Sequence, residues 1–193
     1  NPQPANAETY QYTINSGSYE IKDAGDGRQE IMMEGFGQLL DPGKPKLPSR
    51  IFNIAIPPGV RVNSVDAVGM GLTELEGTYR IVPAPVVNAL SASEEEIELN
   101  RLEYEAVVKK AFESDAPYPN QAGGLKNQGA YRKYNLVQVR YSPFYYQAKS
   151  GKLYLYPSLN VTVDYSYASD LQAESAKIMQ EFLPEVEERA VES

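Results

Sequence analysis

The 193-residue chain contains no cysteine, no histidine and no tryptophan. Without Cys and His, its own residues cannot supply a cysteine nucleophile, a Ser/His/Asp triad or a zinc site built from those side chains. Most hydrolase chemistry is therefore excluded within this chain. The absence of cysteine fits a bacterial secreted protein. The absence of tryptophan weighs against a strong carbohydrate-stacking surface.

Positive charge is also scarce, since 18 Lys and Arg stand against 26 Asp and Glu for a formal net charge of −8. This balance argues against nucleic acid or an anionic membrane as a partner. The acidic residues are scattered without a paired-carboxylate motif, so we expect mostly solvated carboxylates and rank a carboxylate-based enzyme last. No pattern points to a cofactor.

Long apolar runs are missing as well, and no stretch approaches the roughly 18 apolar residues that span a bilayer. The start of the chain, "NPQPANAETY", lacks the charged and apolar regions of a signal peptide. It is small, polar and Pro-bearing, which is typical of a mature extracytoplasmic protein. We therefore expect a bacterial secreted, periplasmic or cell-surface protein whose signal peptide has been removed.

What the chain does contain is a two-residue alternation of apolar side chains, typical of half-buried strands. It is clearest in "KLYLYPSLNVTVDY", where Pro157 marks an edge, a bulge or a break between two strands. The alternating side chains on one face are Leu153, Leu155, Leu159, Val161, Val163 and Tyr165. Upstream, the turn "AKSGK" predicts a hairpin that joins a strand around Tyr145 to the strand that follows the turn.

Further strands are predicted along the first half of the chain. The turn "DAGDGR" carries two Asp, but not at the first, third and fifth positions of a calcium loop, so a tight hairpin turn is the better prediction. Many short strands separated by turns indicate a mainly β fold, an antiparallel β-sandwich or distorted barrel with one or two peripheral helices. The strand segments are "TYQYTI", "SYEIKD", "QEIMMEGF", "IFNIAI", "GVRVNSVDAVG" and "GTYRIVPAP".

Two segments have helical patterns instead. A helix is predicted from the N-cap Ser93 to before Pro117, with three early Glu and late Lys as the helix dipole favours. A second is predicted within "SDLQAESAKIMQEFLPEVEERAVES" and ends or kinks at Pro184. The Gly-rich "NQAGGLKNQGAYRKY" is predicted to be a surface loop. We expect one domain over residues 1–183 and a charged tail or linker over 184–193.

Two blocks carry a family resemblance: "GKPKLPSRIFNIAIPPGVRVNSVD" and "YRKYNLVQVRYSPFYYQAKSGKLYLYPSLNVTVDY". They are similar to the N-terminal propeptide of gingipain-type, caspase-like cysteine peptidases. The resemblance implies a non-catalytic prodomain that precedes a catalytic domain in a secreted zymogen, helps it fold, and covers its active-site cleft until proteolysis. The implied partner is that catalytic domain, bound in cis or non-covalently after cleavage.

In arginine- and lysine-specific members of this family, a basic propeptide residue fills the specificity pocket. The resemblance implies Arg101, Lys109, Lys110 or Lys126 as candidates here, with an ordinary surface charge as the alternative for each. This acidic, helix-forming region does not align residue by residue with the family, so all four stay open. Arg189, in the charged tail, is a candidate processing site or a helix-end charge.

A different function is also open, because 15 tyrosines could offer contact surfaces. In that hypothesis the chain is a secreted β-sandwich module for adhesion or protein binding, without a peptidase partner. Tyrosines on strands are more commonly cross-strand packing pairs, which is what we expect of the tyrosines in the last strands. These are Tyr154, Tyr156, Tyr165 and Tyr167.

Overall fold

The computed structural model describes residues 7–131, 134–168 and 170–172. Within these ranges twelve strands and one long helix follow one another along the chain, and residues 170–172 are also helical. The elements are β1 (Ala7–Asn15), β2 (Tyr19–Gly25), β3 (Arg28–Met33), β4 (Gly37–Gln38), β5 (Pro48–Ile56), β6 (Val60–Met70), β7 (Thr73–Glu74), α1 (Glu94–Phe112), β8 (Gly123–Tyr131), β9 (Tyr134–Tyr141), β10 (Phe144–Gln147), β11 (Lys152–Leu155) and β12 (Ser158–Tyr167).

One sheet is antiparallel with the strand order β1-β12-β6. On its outer face the Asp164 carboxylate accepts hydrogen bonds from Thr9 Oγ1 at 2.7 Å and Ser64 Oγ at 2.8 Å. On its inner face Val161 and Val163 are buried. The alternation read from the sequence therefore places polar side chains toward solvent and apolar ones toward a core.

A second antiparallel sheet has the order β4-β5-β9-β8. Its register sets Ile54 opposite Val137 and Phe52 opposite Val139. Ile54, Val137 and Val139 join the inner side chains of the first sheet in one buried cluster, the first core. This packing of two sheets confirms the predicted β-sandwich, and both sheets are open.

The remaining sheets, β2-β3 and β10-β11-β7, enclose a second core. The predicted run of strand across Pro157 breaks there, with β11 ending at Leu155 and β12 beginning at Ser158. Leu153 thus lies in the second core and Leu159 in the first. The second core consists of Ile31, Met33, Leu39, Leu47, Ile81, Phe144, Tyr146 and Leu153.

Two predicted turns are confirmed. The "DAGDGR" segment closes the β2–β3 hairpin, with Gly25 N donating 2.9 Å to Asp23 Oδ1 and Asp26 at φ 52°. Gly151, at φ 71°, closes the β10–β11 hairpin. Between β5 and β6 the chain turns at Gly59, whose φ of 72° suits a residue without a Cβ.

Two sequence predictions were wrong. "GTYRIVPAP" does not form a strand. It makes only isolated bridges at Ile81 and Pro83, because the ring nitrogens of Pro83 and Pro85 cannot donate to a ladder. The Gly-rich segment predicted as a surface loop instead contains the whole of β8. Gly123 permits this, since a Cβ built on it would lie 2.5 Å from Leu159 Cδ1, closer than side chains pack.

Candidate functional site

Three of the four basic candidates lie on α1, whose start has a capping box. Ser93 Oγ accepts from Glu96 N at 3.2 Å, and Ser93 N donates to Glu96 Oε2 at 2.7 Å. Hydrogen bonding from Ser93 to the Glu96 carboxylate, chiefly from the Ser93 backbone N–H, stabilises the ionised form and lowers the pKa of Glu96. Acidic side chains fill the first turn and Lys109 and Lys110 the last, so both ends match the helix dipole as predicted.

The helix is held to the body through its C-terminal turns. Val107 packs so closely on Gly43 that a Cβ at that glycine would lie 2.8 Å from Val107 Cγ1. Phe112 meets the Tyr146 ring edge-on, with centroids 6.5 Å apart. Toward the N-terminal end, by contrast, Leu99 and Leu102 are 57% and 51% exposed. No residue of α1 is buried, so its polar side chains are free to face solvent.

Arg101 is already engaged by its own helix. Its guanidinium donates to Glu98 at 2.6 and 2.9 Å and to Glu105 at 2.6 Å. The hydrogen bonds from Arg101 lower the pKa of Glu98, and both carboxylates raise the pKa of Arg101. To enter a pocket on another protein, Arg101 would have to leave two carboxylates.

Lys109 and Lys110 are exposed at the C-terminal end of α1. Neither makes an ion pair among the residues that the structure describes. Glu113 N donates to the Lys109 carbonyl at 3.0 Å and ends the helix. Their position is explained by the helix dipole alone, since cations near the last carbonyls stabilise a helix.

Lys126 lies in a different setting, on the edge strand β8. Leu125 is opposite Val139 and Asn127 is opposite Gln138, and these partners are consecutive residues of β9. Lys126 is therefore the extra residue of a β-bulge, a feature that bends a strand and redirects a side chain. Lys126 is exposed, and its side chain makes no hydrogen bond or ion pair with the described residues.

The structure thus holds the four candidates on two elements. Sequence reasoning proposed these residues but missed that Lys126 lies on a paired strand. The segment has few β-branched or aromatic side chains to indicate one. Arg189 and the proposed boundary at residues 183/184 lie outside the described residues.

The tyrosines of the last strands pack mainly on one another. Tyr145 stacks on Tyr154 with centroids 4.4 Å apart and planes 6° from parallel. Tyr165 packs edge-on against Tyr167, and its hydroxyl donates 2.9 Å to Glu8 Oε2. That hydrogen bond, with burial, raises the pKa of Tyr165 to about 12. The Tyr145–Tyr154 stack joins β10 to β11 and confirms the expected cross-strand pairing for Tyr154. Tyr165 and Tyr167 instead pack together along a single strand, β12.

Among the described ranges, no group of three or more Asp or Glu is arranged to hold a metal ion. In the same part of the chain, no helix has the length and apolarity needed to cross a membrane.

Comparison with known proteins matched the family model Propeptide_C25 over residues 10–191. Among solved structures, a chain from the complex of Porphyromonas gingivalis RgpB pro- and mature domains is similar, with TM-score 0.57 and 14% identity, covering 87% of this chain and 81% of that one. A chain from a structure of gingipain K from Porphyromonas gingivalis, concerned with its zymogenic latency, has TM-score 0.55 and 16% identity, covering 83% and 88%. No curated protein sequence matched. The family match confirms the resemblance read from the sequence, and the chain belongs to the Propeptide_C25 family as a non-catalytic propeptide of gingipain-type peptidases.

Proposed function

We propose that the chain is an inhibitor and intramolecular chaperone of a gingipain-type cysteine peptidase domain, covering its active-site cleft until proteolysis removes it. The proposal is supported by the family, and by similarity to a chain from a complex of pro- and mature domains. The partner is the catalytic domain, in cis or non-covalently after cleavage. The zymogen is secreted or displayed at the surface of a bacterium after signal-peptide removal.

The observation that carries the proposal is the setting of Lys126. A propeptide that blocks a cleft needs a side chain presented from a fixed backbone, since less ordering on binding leaves more affinity. β8 is paired with β9 along one edge only. Lys126 lies at a bulge in β8, and its side chain has no partner among the described residues. Of the four basic candidates we therefore favour Lys126 as the side chain that enters the cleft.

The other three candidates are less suited to that role. Arg101 is held by Glu98 and Glu105. Lys109 and Lys110 lie at a helix end, where their charge already has a structural use. We assign these three to the surface of the helix.

Inhibition assays test the proposal directly. The chain at micromolar concentration is added to its catalytic domain while hydrolysis of a peptide substrate is followed, and we expect activity to fall. Lys126→Ala should weaken inhibition at least tenfold, about 1.4 kcal/mol. The matched control Lys22→Ala, another exposed lysine on a strand, should change inhibition less than twofold.

Unchanged activity with the unmodified chain would refute inhibition altogether. Equal inhibition by Lys126→Ala and Lys22→Ala would refute only the assignment of Lys126. The chaperone half is tested by refolding the catalytic domain from denaturant with and without the chain, where equal recovery of activity contradicts it.

We further propose that residues 1–183 form the prodomain and that residues 184–193 are the linker in which processing occurs, at Arg189. The sequence "EVEERAVES" supports this, because it is charged and offers little to bury. During activation of the zymogen, intact-mass analysis should detect a fragment ending at Arg189. Arg189→Gln should remove that fragment, whereas cleavage elsewhere in both forms would show that Arg189 is not the site.

A further inference from the structure

A cavity of about 250 Å³ opens between the β2–β3 turn, residues 80–83, the end of α1 and the end of β10. Its apolar wall includes Ile81 and Tyr146, both buried, and the partly buried Phe112. Two arginines, Arg28 and Arg80, line the same cavity. We call it the two-arginine pocket. It involves none of the basic residues singled out from the sequence.

Backbone pairing fixes the two arginines side by side. Residues around Ile81 run parallel to the start of β3, with Gln29 N donating 2.9 Å to Arg80 O and Val82 N donating 3.0 Å to Gln29 O. The Gln29 side chain adds a bond, its Oε1 accepting 2.7 Å from Arg80 N. Arg28 and Arg80 are therefore register neighbours on adjacent segments.

The guanidinium of Arg80 lies against the hairpin turn. Its Nη1 is 3.7 Å from the position that a Cβ on Gly27 would occupy. The Arg80 charge is also close enough to the Tyr146 hydroxyl to act on its pKa in the lowering direction, although burial dominates and raises that pKa. Arg80 thus faces the pocket between a turn and an aromatic wall.

Neither arginine has an anionic partner among the described residues. Some other cations of the chain are paired, as Lys46 with Glu30 and Arg101 with Glu98. Although the chain has net charge −8, no Asp or Glu is among the described residues that line this cavity with the two guanidinium groups. Their mutual repulsion is relieved when an anion lies between them.

We propose that the two-arginine pocket binds the acidic side chain of a peptide segment from a partner protein. An apolar side chain next to this acidic residue in the peptide packs against the wall formed by Phe112 and Tyr146. Planar guanidinium groups bind carboxylates through paired hydrogen bonds. The cavity is slightly below the roughly 300 to 1,000 Å³ of small-molecule sites, so it suits one or two side chains. The apolar wall favours a peptide over a bare inorganic anion. The proposal stands independently of the peptidase and of Lys126.

The test is an NMR titration of the ¹⁵N-labelled chain with the peptide acetyl-Ala-Glu-Phe-Ala-amide and with its twin carrying Gln in place of Glu. We expect the Glu peptide to bind at least fivefold more tightly, and to shift the Arg28 and Arg80 Nε–H signals and the Ile81 amide. Arg28→Gln and Arg80→Gln should each weaken binding at least fivefold. Lys22→Gln removes a cation from the neighbouring strand β2 and should change binding less than twofold.

Equal affinities for the Glu and Gln peptides would overturn the proposal, and this comparison uses the unmodified chain, so it does not depend on how the variants fold. Undiminished binding by the Arg28→Gln/Arg80→Gln double variant would also overturn it. If inorganic phosphate bound at these arginines more tightly than the Glu peptide, the site would belong to a bare anion and the assignment to a peptide would be wrong. Because no peptidase is present, failure here leaves the inhibitory role untouched.

Discussion

At the scale of single residues, glycine explains how the Gly-rich segment, which lacks the residues typical of strands, forms β8. Gly123 begins β8 where the strand comes close to the first core. A Cβ there would lie 2.5 Å from Leu159 Cδ1, 2.8 Å from Ala67 Cβ and 3.1 Å from Ala67 O. The last of these is backbone and cannot move by a change of rotamer. Gly129, on the same strand, has nothing within 4 Å of its own Cβ position.

This contrast yields a matched prediction. Gly123→Ala should lower the free energy of unfolding by about 1–3 kcal/mol, because it overpacks a filled core. Gly129→Ala should be neutral, or stabilising by up to about 1 kcal/mol, since it restricts the unfolded chain without meeting an obstacle. Urea unfolding of both variants measures the difference. Equal stabilities would mean that β8 is not seated on Ala67 and Leu159 as described.

The same residues show where sequence reasoning reached its limit. Gly-rich sequence predicts a turn or loop because an isolated glycine favours neither strand nor helix. Here the deciding interaction is non-local: β9 supplies a partner with buried Val137 and Val139, and Gly123 allows the approach. Lys126 could be named from the sequence, but its place at a bulge depends on that pairing and could not be predicted.

At the scale of elements, prediction succeeded where the signal is local. The capping box at Ser93 and Glu96, with Lys near the other end, specifies α1 within a few turns of chain. The two-residue alternation of apolar and polar side chains specifies β12, and Pro157 specifies where this strand begins. The segment around Ile81 has apolar residues typical of a strand, yet its prolines limit it to isolated bridges.

The two-arginine pocket, in contrast, depends on contacts between segments that are distant in the sequence. Arg28 and Arg80 are far apart in sequence, and each reads as an ordinary surface charge. Only the parallel bridge between Gln29 and Ile81 makes them neighbours. Strand and helix patterns, with periods of two and 3.6 residues, carry no information about such a bridge. The pocket therefore could not be predicted from the sequence.

At the scale of the whole molecule, two cores are joined into one body. Phe36 packs against both clusters, and its ring meets Phe52 and Tyr141 at 6.0 and 5.9 Å between centroids. The chain passes from the first core to the second after Tyr141 and returns after Tyr156. These two crossings are bonded together, with Tyr156 N donating 2.7 Å to the Pro143 carbonyl and the Tyr141 hydroxyl donating to the Tyr156 carbonyl.

We therefore expect the two cores to unfold in one transition. Leu153 and Leu159 lie on either side of Pro157, both fully buried, one in each core. Leu153→Ala and Leu159→Ala should each cost about 2–5 kcal/mol and shift the same midpoint in urea. Leu125→Ala, at a leucine 45% exposed on β8, is the control and should cost under about 1 kcal/mol.

Tyrosine fluorescence and far-UV circular dichroism should give coincident curves, because the bonded crossings and Phe36 leave neither core able to open alone. Two separate midpoints, with Leu153→Ala moving only one of them, would show that the second core is an independent unit, and the rigid presentation of β8 would then rest on the first core by itself.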